Sequence, residues 1–283
     1  MQDFKELTTD WTRNLAECYS EREARNILLL TLEDVFGFKR SELLVVKELM
    51  LSEKQRGELD HIAVRLKSGE PYQYIAGFTY FDELKIQVAP GVLIPRPETE
   101  ELVAWVQETI GNRKNLVLED WCTGSGCIAL ALKNRNPEAE VRGYDISPEA
   151  LLIAKGNASE LGLTVDFQRK DALTAEPGKQ VDIVISNPPY IPWKEKPDMH
   201  RNVTEFEPDL ALFVPDENPL LFYEAIARYA SRSLNDQGSL FFELHERFAQ
   251  ETKKLVESLG FVEVEIREDL QGKQRMLKAG WNA

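Results

Sequence analysis

Ser186-Asn187-Pro188-Pro189-Tyr190 stands directly after the strand-like run Val181 to Ile185. Proline fixes its own φ and drives the residue before it toward extended backbone, so two prolines hold Asn187 and the neighbouring carbonyls rigidly at a strand end. Rigid acceptors suit one kind of chemistry. The lone pair of an amide or aryl amino nitrogen is delocalised, which makes that nitrogen a poor nucleophile. Two acceptors bound to its N–H groups orient it and stabilise the positive charge that develops as it attacks a methyl group. Asn187 Oδ1 and the Pro188 carbonyl fit that role, and Tyr190 offers a face for a planar amide or base and for a cation. The plain structural alternative is a proline-rich turn leaving a strand.

A second constellation lies upstream. Glu119-Asp120-Trp121-Cys122-Thr123-Gly124-Ser125-Gly126-Cys127 ends a strand-like run and passes into the helical segment Ile128 to Lys133. Glycines at a strand-to-helix turn let a ligand approach the backbone, and the helix start offers unpaired N–H groups, so this is a nucleotide-type pocket. Roughly 20 residues further on, the next strand ends in Asp145, where a carboxylate can accept hydrogen bonds from both ribose hydroxyls. Ser147-Pro148 then opens a helix, serine as N-cap and proline in the first turn. The third glycine of the dinucleotide fingerprint is missing, which makes a nicotinamide enzyme the poorer reading. After Val165 to Gln168 comes Lys170-Asp171-Ala172, where a carboxylate can reach an adenine amino group or simply stand solvated.

The elements that must position these residues are legible as patterns. From Asn115 onward strand-like runs alternate with helical ones, Leu116–Glu119, Val141–Tyr144, Val181–Ser186 and Leu240–Leu244 being the clearest strands. Such alternation implies a mostly parallel sheet covered by helices. From Phe4 to about Lys67 the pattern is helical, with Phe4, Leu7, Trp11, Leu15 and Cys18 on one face and Leu59, Ile62, Ala63 and Leu66 on another. Ser20 with Glu23, and Ser52 with Gln55, have the spacing of capping boxes. Gly69 to Pro97 turns to glycine, proline and aromatics, with the strand-like piece Leu84–Val88, and reads as a hairpin-like linker.

Bulk properties narrow the class. The 283 residues are 43% hydrophobic and 29% charged, ordinary values for a globular chain of one large and one small domain. A formal net charge of −14 opposes tight nonspecific binding to phosphate backbones, so no stable nucleic-acid partner is expected. The start MQDFKELTTD lacks a basic stretch followed by an apolar run, and the apolar block Ile27–Leu32 is too short to span a bilayer, so no membrane association is expected and the chain is read as cytoplasmic. Three cysteines then read as reduced thiols, and Cys122 with Cys127 has no His or Cys neighbour in sequence to complete a metal site.

The Gly-rich turn, Asp145 and Asn187-Pro-Pro-Tyr190 together resemble the amino-group methyltransferases that use S-adenosylmethionine, which act on nucleic-acid adenine or on protein glutamine. Tyr72-Gln73-Tyr74-Ile75-Ala76-Gly77 and Leu93-Ile94-Pro95-Arg96-Pro97-Glu98-Thr99-Glu100 resemble the peptide-chain release factor glutamine methyltransferases, the family also called HemK or PrmC. The likeness extends through Phe206-Glu207-Pro208 with Ala211-Leu212, and through Asp269-Leu270-Gln271-Gly272-Lys273 with Arg275.

The resemblance implies an α/β architecture: a Rossmann-like, seven-stranded class I methyltransferase domain with one antiparallel strand, preceded by a small helical domain. The expected boundaries are 1–70 for a helical substrate-recognition domain, 71–97 for the linker and 98–283 for the methyltransferase domain. It implies that Cys122, Thr123, Gly124, Ser125, Gly126, Asp145, Asp171, Ala172 and Asn187 surround S-adenosylmethionine. It further implies that Asn187, Pro188, Pro189 and Tyr190 hold the substrate glutamine, with Asn187, Pro188 and Tyr190 as the catalytic group. Transfer is direct, from sulfur to amide nitrogen, with no metal; the proton becomes acidic as the methyl bonds and can leave to water, so no general base is nominated. The partner is a release factor and the enzyme is expected to be a monomer.

This chain departs from the family in three places. Cys122 stands where the loop usually begins with glycine, Trp121 stands where a small aliphatic residue is common, and Glu243-Leu244-His245 replaces Glu-Ile-Gly. No function is assigned to His245, His61 or His200, which read as satisfied or exposed. The rival readings are a glutamine methyltransferase of a ribosomal protein, an adenine methyltransferase of nucleic acid, and a silent S-adenosylmethionine-binding partner of another enzyme.

Overall fold

Leu7, Trp11 and Leu15 recur at helical spacing and bury one stripe of α1 (Phe4–Leu15), which Asp3 caps by accepting from the N–H groups of Lys5 and Glu6. The computed structural model of the chain describes residues 2–178 and 180–282. Met1 and Ala283, the outer bounds of the expected domains, lie outside the described residues.

Two compact units are present: one runs to Phe78 and takes in His200–Phe206, and the other comprises Thr79–Met199 and the chain from Glu207 onward. The first boundary thus falls at Phe78, after the one-turn helix Tyr72–Ala76, and not at residue 70.

In the first unit, α2 (Glu21–Leu30) and α3 (Glu53–Lys67) both begin with complete capping boxes, Ser20 with Glu23 and Ser52 with Gln55. Each cap contributes about 1 kcal/mol. The expected stripe Leu59, Ile62, Ala63 and Leu66 is buried against Leu7, Trp11, Leu15 and Leu28. Trp11 Nε1 donates to the Ala24 carbonyl at 2.8 Å, so the indole is buried without an orphaned donor. Cys18 corrects the reading of α1. That helix stops at Leu15 because Ser20 must already be extended to cap α2, and Cys18 lies exposed in the intervening turn. Gly69, at φ +91°, has the Phe206 ring 3.6 Å from where a Cβ would sit, so His200–Phe206 packs onto the end of α3.

The second unit begins at Thr79, within the first strand of the pair Phe78–Phe81 and Leu84–Gln87, which Asp82-Glu83, both at positive φ, join. A two-residue loop of that handedness is a tight hairpin turn. Helix α4 (Pro97–Ile110) leads into the sheet: β1 (Val117–Trp121), α5 (Cys127–Arg135), β2 (Glu140–Asp145), α6 (Pro148–Leu161), β3 (Asp166–Arg169) and β4 (Val181–Ser186). Then follow α7 (Leu221–Ser233), β5 (Leu234–Glu243), α8 (Ala249–Ser258), β6 (Val262–Glu268) and β7 (Gln274–Trp281). The seven strands lie in the order β6-β7-β5-β4-β1-β2-β3, and β7 alone runs antiparallel to its neighbours.

The core of this sheet is nearly continuous: Val181, Ile183, Val184 and Ile185 of β4 and Leu240, Phe241 and Phe242 of β5 are all at most 1% exposed. That is the pattern of strands covered on both faces. Gly143 in β2 has no room for a side chain, since a Cβ there would fall 2.5 Å from the Phe167 ring of β3. Among the described residues no helix is long and apolar enough to cross a membrane.

Candidate active site

Strands β1 and β4 are neighbours, and β1 lies beside β2, so the connections diverge at the β1/β4 boundary. A doubly wound sheet opens a crevice there, beyond the carboxyl ends of its strands. A cavity of about 410 Å³ occupies it, lined by residues that follow β1 (Cys122, Gly124), β2 (Ile146, Ser147), β3 (Lys170 to Leu173) and β4 (Asn187, Pro189).

The turn after β1 takes its shape from handedness. Cys122, Gly124 and Gly126 have φ of +61°, +56° and +83°. Cys122 thus keeps the left-handed conformation natural to glycine, at a cost of roughly 1–2 kcal/mol for its Cβ. The two glycines serve different ends. Gly124 faces the cavity with open space where a Cβ would go, whereas a Cβ on Gly126 would fall 2.9 Å from Phe167 and 3.1 Å from Ala154. Thr123 anchors the turn from behind: its N–H donates to the Tyr144 carbonyl at 2.9 Å and its hydroxyl to Asp120 at 2.5 Å. Ser125 is buried, and its carbonyl accepts from Asn157 Nδ2 at 2.9 Å.

Asp145 is fixed by the two loops it joins. Its Oδ2 accepts from the Gly124 N–H and its Oδ1 from the Ser147 N–H, both at 2.9 Å. Burial pushes its carboxyl above the usual range, and these backbone donors hold it down. A carboxylate has about four lone-pair sites, so both oxygens keep capacity for a ligand's hydroxyls. Asp171 also reaches the cavity, with Oδ1 held by the Leu173 N–H at 2.9 Å, and Ala172 is buried beside it.

Trp121 forms part of the cavity wall in an aromatic layer. Its ring lies 4.6 Å from both Tyr144 and Tyr229, whose hydroxyls donate to the buried Glu119 at 3.0 and 2.8 Å. Arg142 completes that network at 3.0 Å from Glu119, and Lys170 Nζ sits 3.7 Å above the Tyr144 ring.

Asn187 and Pro189 line the same cavity, and Thr123, Ser125, Gly126, Pro188 and Tyr190 are not among its lining residues. Tyr190 packs edge-on to His245 at 5.8 Å and donates its hydroxyl to Glu243 at 3.0 Å. His245 is satisfied by Glu195 at 3.1 Å and by the Arg247 N–H, and His61 and His200 are exposed.

Other residues of the site carry no chemistry readable from their spacing, Leu93, Pro208 and Ala211 entering only within the segments of resemblance. Gly91 to Leu93, Pro208, Leu210, Ala211 and Phe222 complete the cavity wall. Glu207 ties two of these segments together, accepting from the Ile94 N–H at 3.1 Å and from Arg96 Nη2 at 2.5 Å. The motifs containing Arg96 and Glu207 were visible as segments of resemblance, but nothing in their spacing joins them.

Residues 6–77 match the PrmC N-terminal domain and residues 99–205 the Methyltransferase small domain. The release factor glutamine methyltransferase of Bacteroides thetaiotaomicron is 40% identical over 275 residues, which cover 96% of this chain and 98% of that protein. The chain belongs to the release factor glutamine methyltransferase family. A second member, from Flavobacterium psychrophilum, is 38% identical over 281 residues, 98% of this chain and 99% of its own length. In fold, a methyltransferase from Pyrococcus furiosus superposes with a TM-score of 0.53 at 14% identity, over 82% of this chain and 100% of that one. That likeness extends to the fold alone. Against the family's pattern, the two odd residues at the end of β1 are accommodated: Trp121 in the aromatic layer, Cys122 by a left-handed backbone.

Proposed function

We propose that this chain transfers a methyl group from S-adenosylmethionine to the side-chain amide nitrogen of a glutamine in a peptide-chain release factor. Its family is one of glutamine methyltransferases, and the chain is an enzyme of that kind. The observation that carries the residue assignments is the sharing of one cavity by Asn187, Asp145 and two residues of the turn after β1, Cys122 and Gly124.

The residues present fit the cofactor. Asp145 keeps acceptor capacity for ribose hydroxyls, Asp171 and Ala172 flank the place for adenine, and the turn Cys122 to Gly126 lies where the carboxypropyl end belongs. When bound, S-adenosylmethionine supplies an electrophilic methyl group on a sulfonium. The chain's own part is positioning. Asn187 Oδ1 and the Pro188 carbonyl accept the two amide N–H groups, aim the nitrogen and stabilise the charge that develops on it. Pro189 and Tyr190 keep that segment rigid, and Tyr190 flanks the amide. No side chain is assigned as a base, because the proton is released to water once the nitrogen carries the methyl group.

The helical unit is assigned to gripping the release factor. The enzyme is read as a monomer acting in the cytoplasm, where protein synthesis presents that substrate, without a stable nucleic-acid or membrane partner. Incubation with methyl-labelled S-adenosylmethionine and, in separate arms, purified release factor, ribosomal protein and DNA tests the reading. Label is expected on a release-factor glutamine; label confined to ribosomal protein or DNA overturns it.

A further inference from the structure

The inference rests on the assignment of Asn187 as the amide acceptor and concerns what turns its side chain the right way round. An asparagine amide presents an oxygen on one side and an NH₂ on the other, and only the oxygen can accept from a substrate N–H. Something must choose between the two.

Asn187 Nδ2 lies 3.3 Å from the hydroxyl oxygen of Thr99, near the start of α4. Thr99 is 2% exposed, and its hydroxyl is 2.5 Å from Glu243 Oε2, at the end of β5. Glu243 is itself 2% exposed, and its second oxygen accepts from the Tyr190 hydroxyl at 3.0 Å. The direction of this chain follows from counting protons. Both hydroxyls donate to Glu243, so Thr99 and Tyr190 each commit their single proton to it. Thr99 Oγ1 is left as an acceptor, and Asn187 must turn its NH₂ toward it. Its Oδ1 then faces the other way.

We infer that Thr99 and Glu243 are positioning residues that set the amide orientation of Asn187, keeping Oδ1 available to the substrate glutamine. The same carboxylate holds Tyr190, so Glu243 fixes both ends of the Asn187–Tyr190 segment. Neither residue needs to touch the substrate. Arg275 supplies a compensating charge near Glu243 and is itself held by Asp269 at 3.4 Å.

The test is kinetic, on the full-length enzyme with a release factor as substrate. Thr99→Val keeps the shape of the side chain and deletes both hydrogen-bonding functions. It should lower kcat by about 10- to 10²-fold, the scale of a misaligned reacting group, with KM for release factor and S-adenosylmethionine affinity within about twofold of wild type. Thr99→Ser restores the hydroxyl and should recover kcat to within a few-fold. In an Asn187→Ala background Thr99→Val should add no more than about twofold, because the side chain it orients is gone. Glu243→Gln, equal in shape, should reproduce the kcat loss and serves as the second variant if Thr99→Val does not fold. Wild-type kcat in folded Thr99→Val or in Glu243→Gln, or full multiplication of the two losses in the double variant, overturns the inference. Wild-type kcat in Asn187→Ala overturns the acceptor assignment itself, and is distinguishable because it appears without any change at Thr99.

Discussion

Arg96 Nη2 lies 2.5 Å from Oε1 of Glu207, a carboxylate whose side chain is 1% exposed and which comes 111 residues later in the chain. The same carboxylate holds the Ile94 N–H, so it clamps the segment that follows the Gly91 to Leu93 part of the cavity wall. Arg96→Ala leaves a buried charge with one backbone partner. The variant should lose about 1–3 kcal/mol of stability, the cost of an under-satisfied buried group. Binding of S-adenosylmethionine should weaken with it. A thermal melt and a calorimetric titration both matching wild type would show that the clamp is dispensable.

Asp145→Ala removes the acceptor assigned to the ribose and frees the Gly124 and Ser147 N–H groups. S-adenosylmethionine affinity should fall by about 1.5–3 kcal/mol, the range for a charged hydrogen-bonding group. Titration calorimetry giving an unchanged dissociation constant would remove Asp145 from the cofactor site.

How far the site was legible follows from sequence separation. The turn Cys122 to Gly126, Asp145 and Asn187 to Pro189 each sit at a strand end, where local spacing identifies both the element and the exposed terminus. Thr99 with Asn187, Glu243 with Tyr190, and Ile94 with Glu207 are joined across 88, 53 and 113 residues. No periodicity spans such gaps: the first two pairs form only when the sheet brings α4, β4 and β5 together, and the third only when the chain before α4 meets the segment at Glu207. The opposite failure occurs at Cys18, where an apolar repeat continued past the point at which the next helix's cap required the chain to turn.

Position 122 offers a test of backbone handedness. Cys122→Gly removes the Cβ from a residue at φ +61°, a relief that the greater freedom of glycine in the unfolded chain offsets, so stability should stay within about 1 kcal/mol of wild type. Cys122→Val, β-branched at the same φ, should cost about 1–3 kcal/mol and weaken cofactor binding. Denaturant titration of both variants decides this, and equal stability of the two would contradict a left-handed residue 122.

Asp120 makes a pH-dependent contribution to stability. Burial pushes its carboxyl up to about 7, with the Thr123 hydroxyl opposing the rise and the Asp145 charge adding to it. An unfolded aspartate titrates near about 3.9. Between those values the folded chain holds a proton that the unfolded chain releases, so this group makes stability fall as pH rises through the window, with its full penalty above about 7. Asp120→Asn is neutral throughout and still accepts from Thr123. Its melting temperature relative to wild type should therefore be higher at pH 8 than at pH 5; a difference independent of pH would rule out a protonated Asp120.

The return of His200–Phe206 to the helical unit sets an order on synthesis. The segments Thr79–Met199 must leave the ribosome before Phe206 can reach Gly69, an interval on the order of ten seconds at about 5–20 residues per second. Until then the end of α3 stays uncovered, although every residue of the helices around it has already emerged. A nascent chain stalled shortly before residue 200 should therefore be cut by protease near Gly69 faster than one stalled well beyond Phe206, and the unit that is begun first must wait for Thr79–Met199 of the other before it can close.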